Sequence, residues 1–309
     1  MTTTAGRIER GERVAIAQSP DFEAHASVLA GADGVWVAYD AAGPNWGKDF
    51  RDGPTIQNGQ YAEPLHASRR LELRCYRDGQ LMRPAGLLPQ VLPPEKIPEI
   101  SRDPATKPSR FYDFPQLARD GDGRVWLLFR MSRQGYCRHP PKGAQWNIHA
   151  TTYTEKGWLE PIQLPVSQGR QNQRVATTPG AEGRLQCAWA EGNRFAAVNR
   201  KFAVRYGELP PMTEAASDIP CEKFSADPPG EPTAEPQIDW TIARGGEEFH
   251  VFFGDLHRHT NISRCMPTLD GCLTDAHRYA LDAVQYDFLA VTDHTRDVDP
   301  FSWWRTQKA

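Results

Sequence analysis

The sequence predicts a mostly β amino-terminal region built from partial propeller-like repeats, followed by the first strand–helix–strand unit of a truncated α/β barrel. Three observations point there. Three segments of the first two-thirds repeat one strand–turn–strand pattern; a stretch rich in proline, glycine and acid follows; and the last sixty or so residues hold two histidine clusters, each at the end of a short apolar run. The expected division is 1–224 for the repeats, 225–248 for a linker and 249–309 for a metal-binding segment.

Composition sets the outer bounds. A chain of 309 residues has room for two cores. Its net charge of −3 and isoelectric point near 6.3 give no basic footprint for nucleic acid. No apolar run is long enough to span a membrane. The start, MTTTAGRIERGERV, lacks a charged segment followed by an apolar one, so no signal peptide is expected and a cytoplasmic address is. The six cysteines are scattered without a C-x-x-C pair, which predicts free thiols rather than a disulfide framework.

The repeats read HASVLAGADGVWVAYD from His25, FPQLARDGDGRVWLLFR from Phe114 and RVATTPGAEGRLQCAWAE from Arg174. Each has a short apolar strand, a turn with Asp or Glu before Gly, and an alternating strand. Val35, Val37 and Tyr39, then Val125, Leu127 and Phe129, then Leu185, Cys187 and Trp189 fall on one face, the pattern of a half-buried antiparallel strand. A second strand pair follows the first two, around Asp78-Gly79 and around Lys156-Gly157; the third repeat has only KFAVRYGELPP. Four strands per unit resemble propeller blades, with a β-sandwich of similar hairpins as the alternative. Three blades fall short of the roughly four to eight of closed propellers. The inserts from Ala41 to Ser68 and from Met131 to Gln145 should emerge on one face, where a ligand could bind. One of them, NWGKDFRDG, mixes aromatic and polar groups as sugar or peptide sites do, and as many exposed loops do. From Ser225 to Glu247 the composition predicts a linker or extended strap.

In the carboxyl-terminal segment, His250 to Leu256 reads as a buried strand ending just before His257 and His259. Residues two apart on extended chain point the same way, so both imidazoles can face one ion. A helix signal at Thr274-Asp275 follows, with Ala276, Ala280, Ala283 and Val284 on one face, then a second strand from Phe288 to Val291 ending in Thr292-Asp293-His294. A right-handed crossover makes the two strands parallel and brings both histidine clusters to one rim, where α/β barrels keep their active sites. Imidazoles in this pattern suit zinc, manganese or iron, with Asp255 able to orient one of them. The other histidines, His25, His66, His139, His149, His250 and His277, read as structural or exposed.

GDLHRHT followed about thirty residues later by AVTDH resembles the first two motifs of the PHP (polymerase and histidinol phosphatase) superfamily. The fuller run ISRC…DG…L-x-D-A-x-R-Y-A-L-D…DFLAVTDH…WWRTQK is closest to an uncharacterised PHP-related family whose members carry a β-repeat region ahead of this domain. The resemblance covers roughly the last sixty residues. It implies a distorted (β/α) barrel with a cluster of metal ions that hydrolyses phosphate esters, His257 and His259 ligating one ion, His294 another, and Asp293 a supporting carboxylate. Where many relatives place Asp or His, this chain has Cys265, a candidate additional ligand or a buried structural thiol. An α/β barrel needs on the order of 200 residues, so the later motifs are missing, and the chain reads as a truncated piece of a metal-dependent hydrolase. As such it is expected to be inert and loosely folded beyond Phe249. Two other readings are an amidohydrolase-type hydrolase, which also opens with H-x-H, and a binding protein whose repeats carry the function.

Overall fold

The structure is a computed structural model of the whole chain, and it describes residues 13–19, 22–42, 69–86, 88, 109–134, 146–167, 174–191, 203–212, 218–225, 240–260, 262–263, 271–294 and 300–308. The architecture is mostly β. The first repeat supplies β1 (Phe22–Gly31), β2 (Gly34–Ala42), β3 (Arg70–Arg77) and β4 (Gln80–Pro84). The second supplies β5 (Ser109–Arg119), β6 (Val125–Gln134), β7 (Trp146–Thr154), β8 (Gly157–Trp158) and β9 (Ile162–Gln163), and the third β10 (Ala176–Pro179), β11 (Leu185–Glu191) and β12 (Ala203–Leu209). These form three antiparallel sheets, and among the described residues neither a propeller nor a barrel closes. After β12 the chain returns to the first sheet, where β13 (Cys221–Lys223) pairs with β4 as an outer strand. No helix of the described residues is long and apolar enough to cross a membrane.

Turn chemistry accounts for the hairpins. Asp78 and Gly79, between β3 and β4, both have positive φ, 52° and 75°, the tight turn whose twist matches that of the flanking strands. The first two repeats also share a bulge: register shifts between Ala24 and Ser27 in β1 and between Asp113 and Gln116 in β5. Within these bulges His25 and Phe114 take positive φ, 55° and 49°, and their rings stack with centroids 3.9 Å apart.

The three sheets follow one another through their first strands. Leu117 N–H donates to Ser27 Oγ (3.0 Å), joining β5 to β1, and Gln116 exchanges two hydrogen bonds with the Val175 backbone just before β10 (2.6 and 3.0 Å). Two cores result. One lies between the first and second sheets, with Trp36, Leu73, Leu127 and Phe129; the other lies between the second and third, with Trp126, Leu128, Leu185 and Trp189. The reading of these strands as half-buried is therefore corrected for β2, buried at consecutive positions from Trp36 to Ala42, and for β6. Leu127 faces one core and Trp126 the other, both 0% exposed, because the middle sheet is covered on both sides. The inserts at 43–68 and 135–145, including Trp46, Lys48, Asp49, Arg51 and Asp52, lie outside the described residues.

The first turn locks the first sheet onto the second. Burial pushes the Asp33 carboxyl up, but a hydrogen bond from Trp36 Nε1 (2.7 Å) and the ion pair with Arg119 hold it below its ordinary value. A depressed folded pKa means stability present above the unfolded value of about 3.9 and lost as pH falls through the folded one. Melting temperatures followed downward from pH 5 should therefore fall less steeply in Asp33→Asn than in the wild type; parallel acid limbs would contradict the assignment.

Beyond residue 239 the expected single buried strand from His250 to Leu256 is two strands, both largely exposed. Gly245 and Gly246 both have positive φ (65° and 84°), and the turn they make pairs β14 (Trp240–Arg244) with β15 (Glu247–Val251) in a hairpin that occupies the end of the expected linker. A new strand, β16 (Gly254–Arg258), begins three residues later and pairs in parallel with β17 (Phe288–Val291), as the crossover argument predicts. A Cβ at Gly254 would collide with the backbone and ring of Phe288, so this close start of the pair requires glycine. Between them lies α1 (Leu273–Arg278), extended by a π-turn at Tyr279–Ala283; α2 (Pro300–Lys308) follows β17. The helix begins one residue before the expected cap: Cys272 is the N-cap, and the Asp275 carboxylate accepts its backbone N–H (2.8 Å).

Candidate metal centre

His257 and His259 flank Arg258 at the carboxyl end of β16, and His294 follows the end of β17. The parallel register sets Arg258 opposite Val291, and Thr292 N–H donates to Arg258 O (2.7 Å), so the two strand ends are fixed side by side. The imidazole centroids of His257 and His259 are 4.9 Å apart, and those of His259 and His294 are 4.6 Å apart. His257 is exposed and the other two half-buried, so the cluster opens to solvent.

The carboxylates nearby do different work from the imidazoles. Asp293 accepts from Thr260 N and Oγ1 (2.7 Å each) and from Ser263 Oγ and N (2.7 and 3.2 Å). Ser263 Oγ in turn accepts the His294 N–H (2.9 Å). Asp293 thus ties the loop after β16 to the end of β17. Asp255 Oδ1 accepts the His257 backbone N–H (2.8 Å) and holds the strand end rather than an imidazole. Cys265 lies outside the described residues. The holding roles of Thr260 and Ser263 were missed in the sequence, although both stand close behind H-x-H.

A second group of chemistry-bearing side chains joins this segment to the repeats. Arg69, its side chain 0% exposed, donates to Asp275 Oδ1 (2.8 Å) and Asp113 Oδ2 (3.4 Å) and lies 3.8 Å from Asp40. His25 Nδ1 sits 2.9 and 2.8 Å from the two Asp40 oxygens, and Arg130 Nε donates to Asp113 (2.7 Å). The arrangement is three cations, His25, Arg69 and Arg130, against Asp40, Asp113 and Asp275, spanning the first two sheets and α1. Burial opposes a charge on His25, but the Asp40 carboxylate outweighs it, with Cys272 and Asp275 adding to the effect, and the imidazole is pushed up to about 10. Arg278 Nη2 also reaches Glu23 O (3.4 Å). The segment expected to be loosely folded beyond Phe249 is joined to the repeats by these buried ties. Its apolar faces are nevertheless uncovered in places: Phe252 is 67% exposed and Leu256 69%, while Leu289 and Val291 are half-buried. No family profile, curated protein or solved structure was found to match the chain.

Among the described residues, the set of three His, Cys, Asp or Glu whose donor atoms all lie within 4.8 Å of one another is His25, Cys272 and Asp275. Cys75, Cys187, Cys221 and Cys272 are free thiols, as the scattered cysteines predict.

Proposed function

We propose that residues 249–309 form the opening strand–helix–strand unit of a PHP-type metal-dependent phosphoesterase, and that the repeats are propeller-like blades that recognise its substrate or a partner. The observation that carries the reading is the set of three adjacent imidazoles at the carboxyl ends of two neighbouring parallel strands. His257 and His259 would hold one zinc, manganese or iron ion, and His294 a second. Such ions, when bound, lower the pKa of a coordinated water and polarise a phosphoryl oxygen. The chain's own part is positional: β16 and β17 fix the imidazoles, Asp293 fixes the loop between them, and the open side leaves room for a phosphate ester. The blade reading is supported by the repeated bulge in β1 and β5 and by the serial linking of β1, β5 and β10.

Phosphate capture tests the reading without requiring turnover. The Mn²⁺-loaded chain should bind inorganic phosphate in a calorimetric titration, the metal-free chain should not, and His259→Ala should weaken binding at least tenfold. Phosphate binding that ignores both the metal and His259 would overturn it.

A further inference from the structure

We propose that His25, Cys272 and Asp275 form a second cation site, separate from the imidazole cluster, that takes a structural zinc ion and clamps α1 to β1. Their donor atoms already lie within 4.8 Å of one another, and His25 Nε2 is 3.4 Å from Asp275 Oδ1. Two nitrogen or oxygen ligands of a tetrahedral zinc stand about 3.4 Å apart, so this edge needs no adjustment. The Cys272 sulfur lies within 4.8 Å of both and completes the set.

The second observation is the state of His25 itself. Its side chain is 4% exposed, and Nε2 has no hydrogen-bond partner although it faces the cysteine and the aspartate. The Nδ1 side is bound to the Asp40 carboxylate (2.8 Å), the hydrogen bond that in zinc sites fixes the tautomer with Nε2 free to ligate. Asp275 Oδ1 accepts from Arg69 (2.8 Å) and lies 3.4 Å from Nε2.

Charge permits the exchange. Zinc would displace one proton from His25 and one from Cys272, so a +2 ion replaces two protons and the buried network stays neutral. Metal uptake releases those protons to solvent, and no oxidant or further reactant is needed. The chemistry fits a thiolate–imidazole–carboxylate set, which favours zinc over calcium or magnesium. The fourth position is open to water.

The full chain, stripped with a chelator and reloaded, decides it. Zinc per chain by elemental analysis should fall by one equivalent in Cys272→Ser and in His25→Asn, whereas the His257→Ala/His259→Ala variant should keep that equivalent whatever it loses at the imidazole cluster. In the wild type, cobalt should give a near-ultraviolet thiolate charge-transfer band, lost in Cys272→Ser. Absence of that band in the wild type overturns the proposal whichever variants fold, as does full zinc stoichiometry in Cys272→Ser. A chain that keeps the Cys272-dependent equivalent but binds no phosphate would leave this site standing and remove the phosphoesterase reading.

Discussion

Arg69→Ala is expected to destabilise the protein by about 3–5 kcal/mol, the usual cost of removing one partner from a buried ion pair. Arg69 is fully buried among three carboxylates, and its loss leaves Asp275, Asp113 and Asp40 facing one another with two cations instead of three. The damage should be directional. Asp275 caps α1, so amide exchange should rise first across α1 and its π-turn, with β6 and β11 still protected. A loss under about 1 kcal/mol in urea denaturation, or exchange rising equally everywhere, would mean that the network does not dock the helix.

Trp126→Ala should cost a comparable amount, about 3–5 kcal/mol, through the cavity left in the core between the second and third sheets. The indole is 0% exposed, and its Nε1 donates to Asp120 Oδ2 (3.0 Å), an aspartate that also accepts the N–H groups of Asp122 and Arg124 (3.0 and 2.9 Å). Truncation removes apolar contacts and one support of the Asp120 turn together. The midpoint of urea unfolding should fall with little change in slope. An unshifted midpoint would contradict the assignment of this core.

The alternating strands could be read from the sequence because each hairpin carries its own turn chemistry and its own period. The parallel pairing of β16 with β17 followed from strand, helix and strand in order, and with it the meeting of His257, His259 and His294. What could not be read depends on contacts remote in the chain. Nothing near His25 announces Asp275, and Arg69 and Asp275 meet across 206 positions. The run VWLLFR, apolar at consecutive positions, did carry the signal of a strand buried on both faces, but the period-two template hid it. Likewise Gly245-Gly246 is a hairpin turn as well as a mark of flexible composition, and the linker reading used only the second meaning. The return of β13 to the first sheet has no local signal, since Cys221–Lys223 is three residues long and its pairing is set by β4.

Metal content of the whole chain tests the central claim most directly. After stripping and reloading with Mn²⁺ or Zn²⁺, the wild type should carry at least one more ion per chain than the His257→Ala/His259→Ala variant, and Asp293→Asn should bind that ion more weakly because the loop between the strands loosens. Equal metal content in the wild type and the double variant would contradict the account.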